Sequence, residues 1–175
     1  CSTKRMYPDV LMYDKVIELT GSFKAPMGCR SFLQGWKDEH GQEVNSGRMN
    51  LGVVTLNLPR VAIESKGNQT MFWELFEERL KVCHDALVYR VQRTKDALPE
   101  NAPILYEYGA FGKRLKKGDS VDDLFKNKRS TISLGYIGLY EAATVFFGPE
   151  WEKNETAKAF TVNILSKMKQ HTDQW

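Results

Sequence analysis

One thiol stands out in the segment Pro26-Met27-Gly28-Cys29-Arg30-Ser31-Phe32-Leu33. Cys29 is one of only three cysteines in 175 residues. Pro26 fixes its own φ and removes a donor, and Gly28 frees the backbone just before the sulfur. A thiol on such a segment can be held at a chosen point in space, whereas a cysteine on a helix face is usually a small buried hydrophobe. A hydrolytic cysteine needs a histidine base nearby. Only His40, His84 and His171 are available, and they fall in a polar excursion, on a helix and near the chain's end. A phosphatase loop cradles its anion with successive amides, and Gly28–Phe32 lacks both the glycine-rich run and the arginine spacing. No Walker-type loop occurs, and Gly135-Tyr136-Ile137-Gly138 is too thin for a nucleotide fingerprint. A lone thiol between Met27 and Phe32 suits one-electron chemistry, which needs the S–H bond kept from water, oxygen and other thiols and needs no depressed pKa. A plain loop cysteine fits the same residues equally well. Arg30 beside it either orients neighbouring groups and substrate or simply pairs with a carboxylate.

The elements that must position this thiol alternate between strand-like and helix-like patterns. Val10–Leu19 reads as a short, ragged strand, and 21–30 as a loop. Ser31–Trp36 and Leu51–Leu58 read as strands, the second stopping at Pro59, which cannot donate to a ladder. Between them, 37–50 is polar, with Gly41 and Gly47, and reads as a turn or excursion. The clearest helix runs from about Thr70 to Leu98. Phe72, Phe76, Leu80, Cys83, Leu87 and Val91 recur at spacings of three and four, Thr70 is the expected N-cap, and Pro99 follows the end. Cys83 on that stripe is a core residue, and His84 beside it a surface or partly packed one. Pro103–Tyr108 reads as a strand, Val121–Phe125 as a helical turn, and Thr131–Ile137 as a strand whose interior Gly135 signals close backbone approach. Helices follow over about Leu139–Phe147 and Asn154–Lys169. The alternation predicts an α/β architecture. The basic run Lys113-Arg114-Leu115-Lys116-Lys117 reads as a solvated loop, and Trp36, Trp73 and Trp151 as packing residues.

Composition narrows the classes. A hydrophobic content of 42% supports one core. The net charge of +3 arises from 25 basic residues scattered among 22 acids, so no nucleic-acid stripe is present. No apolar run is long enough to span a bilayer, and no secretory h-region follows the first residues. Three unclustered cysteines exclude a disulfide framework and a self-contained four-cysteine zinc site, and they point to a reducing, cytoplasmic setting. The start at Cys1 and the stop at Gln174-Trp175 read as a piece of a longer protein.

Several long collinear motifs carry a family resemblance. The run from Gly21 to Leu33 resembles the active-site finger loop of anaerobic, class III ribonucleoside-triphosphate reductases. Gly47-Arg48-Met49-Asn50-Leu51-Gly52-Val53-Val54-Thr55-Leu56-Asn57-Leu58-Pro59-Arg60 resembles the segment that follows it. Lys4–Asp9, Ala102–Tyr106, Gly109–Leu115 and Ser133–Glu141 match in the same order, and the likeness covers nearly the whole chain, loosening after about Trp151.

That resemblance implies a ten-stranded α/β barrel threaded by the finger loop. Residues 1–175 would be its second half, with the loop at about 21–36. It implies reduction of ribonucleoside triphosphates to deoxyribonucleoside triphosphates, for DNA replication, without oxygen. Cys29 matches the cysteine that takes its unpaired electron from a glycyl radical and abstracts the ribose 3′-hydrogen. Asn50 matches the asparagine at the substrate and formate site, although such a residue also satisfies turn backbone groups. Arg30 is the further substrate-binding candidate. The parent is expected to be a homodimer with a structural zinc, allosteric ATP or dATP and a radical S-adenosylmethionine activating enzyme as partner, all served by residues outside this chain. No Arg-Val-Cys-Gly-Tyr motif occurs here. The family's second active-site cysteine lies well upstream, so Cys1 is not its match, and the Ser/Thr-rich phosphate segment is expected beyond Trp175. No cofactor or metal is expected on these residues, and no membrane or nucleic-acid partner. Half a barrel should expose sheet edges and apolar faces. Two other classes remain: a sibling glycyl radical enzyme of formate-lyase or dehydratase type, and a non-catalytic module.

Overall fold

The computed structural model describes residues 4, 10–24, 26–27, 31–32, 35–126 and 129–175, with backbone alone at 26–27 and 31–32. They form two compact units, Cys1–Met49 with Ala97–Thr131, and Asn50–Asp96 with Ile132–Trp175. The architecture is mixed α/β, with three two-stranded sheets among the described residues.

In the first unit, helix α1 spans Tyr13–Thr20 where the sequence suggested a ragged strand. The reason is period: Tyr13, Val16, Ile17 and Thr20 recur at helical spacing, Val16 is the buried one, and Gly21 ends the helix in the left-handed region at φ 76. Strand β1 (Pro26–Met27) pairs antiparallel with β2 (Ser31–Phe32), so the expected loop over 21–30 contains a short strand. Pro26 is tolerated there because such a pair has open edges. Strand β3 (Trp36–Lys37) pairs antiparallel with β4 (Glu43–Val44), placing a hairpin in the expected excursion. Asp38 closes its turn, Oδ1 accepting from the amides of His40 and Gln42, both at 2.9 Å. Helix α4 (Pro103–Tyr106) replaces an expected strand. Pro103 in the first turn pre-sets helical φ and needs no partner for its nitrogen. A 3₁₀ turn over Asp122–Leu124 fulfils the expected helical turn. Tyr106, Leu115, Val121 and Leu124 form this unit's buried cluster. Leu115 is therefore an apolar anchor inside the otherwise exposed basic run.

The second unit carries the longer elements. Strand β5 runs Met49–Asn57. Pro59 does not simply stop it: Asn57 caps a helix α2 (Leu58–Glu64), its Oδ1 accepting from the Arg60 amide at 3.1 Å, with Pro59 in the first turn. Helix α3 (Gln69–Lys95) follows. Its cap is Asn68 rather than Thr70, because the Asn68 Oδ1 accepts from the Met71 amide at 3.1 Å. Strand β6 (Ser130–Ile137), helix α5 (Leu139–Phe147) and helix α6 (Glu155–Gln174) complete the order, α6 running further than expected behind its Asn154 cap.

Strands β5 and β6 are neighbours. A Cβ on Gly135 would lie 3.0 Å from the Val53 side chain, and one on Gly138 would lie 2.2 Å from Pro59. Position along β6 thus advances with position along β5, and the pair is parallel. Gly135 fulfils the expected close approach, and Gly138, at φ 75, is doubly required. Ala62 on α2 and Ala142 and Ala143 on α5 are fully buried, and small side chains let these two helices meet closely. Behind them, Phe72 meets Trp73 and Phe146 edge-on, stacks on Phe76 and tilts against Phe160, with ring centroids 5.1 to 5.9 Å apart. Phe72, Phe76 and Leu80 are essentially inaccessible, and Cys83 is buried with them. Trp73 takes the expected packing role beside this cluster.

Phe72→Ala should lower stability by about 3–5 kcal/mol through lost transfer energy and a residual cavity. Ile63→Ala, at a side chain 63% exposed, should change it by less than about 0.5 kcal/mol. The shift of the urea unfolding midpoint reads both.

Candidate active site

Asn50 is the sequence-derived site residue whose side chain the structure describes. It is exposed at the start of β5. Its Oδ1 accepts from the Gly52 amide at 2.8 Å. That bond fixes the carboxamide and leaves the Nδ2 donor with no protein acceptor among the described residues. Gly52 sits at φ 122, and a Cβ there would lie 1.9 Å from Nη1 of Arg90. The strand thus keeps a bare backbone so that a guanidinium from α3 can lie on it. Sequence reasoning missed Arg90. A signal was present: positions 86, 87, 93 and 94 are Ala86, Leu87, Arg93 and Thr94, so no acid stands one helical turn away.

Cys29 and Arg30 lie outside the described residues. The flanking backbone is described, Met27 pairing with Ser31. The ten-stranded barrel and the finger loop expected over 21–36 are likewise not reached by these small sheets.

Within the first unit, the chain leading into β5 is held by Arg129, which is 8% exposed. Its Nε donates to the Gly47 carbonyl at 2.7 Å, and its guanidinium lies 4.8 Å from the centroid of the Trp36 ring. The Trp36 Nε1 donates to the Ser46 carbonyl at 2.8 Å, and the Met49 amide donates to the Arg129 carbonyl at 3.2 Å. Trp36 is therefore more than packing: it is one wall of a clamp on 46–49. Desolvation lowers the pKa of Arg129 and of Arg48, and the Nε and Nη1 of Arg48 are buried without a partner among the described residues. Beside the clamp lies a cavity of about 480 Å³ lined by Trp36, His40, Lys113 and Arg129 and by the Asp123–Lys126 ion pair at 2.6 Å. The Lys126 bond is the main cause holding the Asp123 carboxyl below its usual range.

The other titratable groups carry structure. Burial raises the Cys83 thiol above its ordinary value. His171 pairs with Glu77 at 2.7 Å, and His84 lies beside Asp85 at 3.2 Å and against the Trp175 ring. Among the described residues, no group of three or more His, Cys, Asp or Glu side chains is placed to hold a metal ion. No described helix is long and apolar enough to cross a membrane.

A family model described as anaerobic ribonucleoside-triphosphate reductase matches residues 1–175. The chain belongs to that family. It is 50% identical over its whole length to the anaerobic ribonucleoside-triphosphate reductase of Salmonella typhimurium, covering 25% of that protein. It is 49% identical to the Escherichia coli reductase, again covering 25%, and 46% identical to that of Enterobacteria phage T4, covering 28%. The chain thus spans about a quarter of the length of these relatives.

In native protein at pH 8, iodoacetamide should leave Cys83 unmodified, because a raised pKa makes its thiolate scarce; urea should expose it to full alkylation, as read by peptide mass spectrometry. The sign for stability follows: the thiol is favoured neutral in the fold, so its contribution is present below the ordinary thiol range and is lost as pH rises through it towards the raised native value.

Proposed function

We propose that this chain is part of the catalytic barrel of an anaerobic ribonucleoside-triphosphate reductase, with its finger loop at about 21–36. The observation that carries this reading is the match across residues 1–175, with relatives of that name 46 to 50% identical over the whole chain. In this reading Cys29 is the hydrogen-abstracting residue. Its sulfur, as a one-electron oxidant, takes the 3′-hydrogen of the ribose: an S–H bond forms, the C3′–H bond breaks, and the unpaired electron moves to C3′. Water then leaves from C2′. The two electrons for net reduction come from formate, which leaves as carbon dioxide. A glycyl radical borne elsewhere in the parent supplies the initial unpaired electron, and its motif does not occur among these 175 residues.

Asn50 orients substrate or formate. Its carboxamide is already fixed by the Gly52 amide, so ordering it costs little entropy on binding. Arg30 is a substrate-binding candidate by its place next to the thiol. The parent acts in the cytoplasm as a homodimer, with ribonucleoside triphosphate and formate as substrates, ATP or dATP as effectors, and a radical S-adenosylmethionine enzyme as activator. Zinc belongs to its other segments.

The test is made on the full-length enzyme, activated without oxygen and assayed with formate for conversion of a ribonucleoside triphosphate. Cys29→Ala should abolish turnover while the glycyl radical signal persists. Equal turnover in wild type and variant would remove Cys29 from the mechanism. Asn50→Ala should lower kcat/KM by at least about tenfold, the loss expected for one hydrogen bond to a charged group. The 175-residue chain alone should show no turnover.

A further inference from the structure

Several exposed cations on the helices of this protein are paired one helical turn away. Lys15 pairs with Glu18, Arg60 with Glu64, Lys81 with Asp85, Lys158 with Glu155 and Lys169 with Asp173. Arg90 is not among them. No acid stands at its helical neighbours 86, 87, 93 or 94, and no carboxylate among the described residues reaches it. Its guanidinium instead lies on β5 at Gly52, whose φ of 122 disfavours a side chain and where a Cβ, 1.9 Å from Nη1, would displace the guanidinium. The Gly52 amide donates to the Oδ1 of Asn50 at 2.8 Å, which leaves the Asn50 Nδ2 donor without a partner among the described residues. Two donors, one of them cationic, therefore lie at Gly52 or two residues from it along the strand without a protein acceptor among the described residues.

We infer that Arg90, together with Asn50, holds an oxyanion group of a substrate at the start of β5. A guanidinium presents its N–H groups as a planar fork matched to carboxylate and phosphate, and a carboxamide N–H₂ adds a neutral donor beside it. Such a pair binds either the carboxylate of formate or a phosphate of the nucleotide, both anions of the reaction proposed above, on which this inference rests. Arg90 is a positioning residue: it holds the anion and takes no part in bond making. Gly52 is the residue that admits it.

The experiment uses the full-length enzyme with Arg90→Gln, Arg90→Lys and Gly52→Ala. Arg90 is exposed, so its variants keep the fold. Steady-state KM is measured separately for formate and for the ribonucleoside triphosphate. Arg90→Gln should raise one of the two by about ten- to a hundredfold, the loss of a charge-assisted hydrogen bond, with kcat nearly unchanged. Arg90→Lys should recover part of the loss, and Gly52→Ala should reproduce it by displacing the guanidinium. A rise confined to formate identifies the carboxylate, and one confined to the nucleotide identifies the phosphate. Unchanged KM for both in an active Arg90→Gln enzyme overturns the inference. Binding is read independently of turnover, by ¹³C line width of formate and ³¹P line width of inorganic tripolyphosphate titrated with wild type and Arg90→Gln. If the wild type reduces no nucleotide yet broadens one signal and Arg90→Gln does not, the anion site stands and the reductase reading falls. If the wild type broadens neither, the anion site falls.

Discussion

Strand β5 can present Asn50 only because its other end cannot move. Leu56 and Leu58 are buried at the point where strand becomes helix α2, and the Asn57 side chain caps that helix. The parallel neighbour β6 then approaches so closely that Gly135 and Gly138 are the side-chain-free positions of the contact. Packing of this kind resists small displacements, because a gap of a fraction of an ångström already forfeits much of the dispersion energy. An exposed polar side chain a few residues up the same strand inherits that rigidity.

The aromatic cluster around Phe72 makes the arrangement worthwhile energetically. Helix α3 brings Phe72, Trp73 and Phe76, α5 brings Phe146 and Phe147, and α6 brings Phe160. Tertiary burial of one face is the usual source of helix stability. The same α3 carries Arg90 towards β5. Core and candidate site are thus two faces of one helix–strand contact. In the first unit, a different device secures the approach to β5: a buried arginine, Arg129, ties the backbone at Gly47 and stacks over Trp36. A buried cation is costly unless hydrogen-bonded, and the carbonyl and ring faces supply part of that compensation.

Much of the second unit could be read from residue order. The stripe from Phe72 to Leu87, the glycine of β6 and the span of α5 were legible because each follows from a local period or a local steric demand. The misreadings share a cause. At Val10–Leu19 the helical recurrence of Tyr13, Val16, Ile17 and Thr20 is masked by other apolar residues between them, and at Pro103–Tyr108 a short apolar segment carries no decisive period and proline geometry settles it as a helix. The start of α2 was hidden because Pro59 reads both as a strand terminator and as a helix initiator.

Amino-acid order by itself determined the family and singled out Cys29 and Asn50 as candidate site residues, since these rest on residue identity and collinear motifs. Tertiary structure decided what lies against Gly52, two residues along the strand from Asn50. Arg90 is 40 positions away along the chain, and its guanidinium reaches the strand only because α3 packs on β5 and Gly52 lacks a side chain. No local pattern encodes such a meeting, because it depends on where two separately periodic elements cross, and the long-range packing of the Phe72 cluster fixes that crossing.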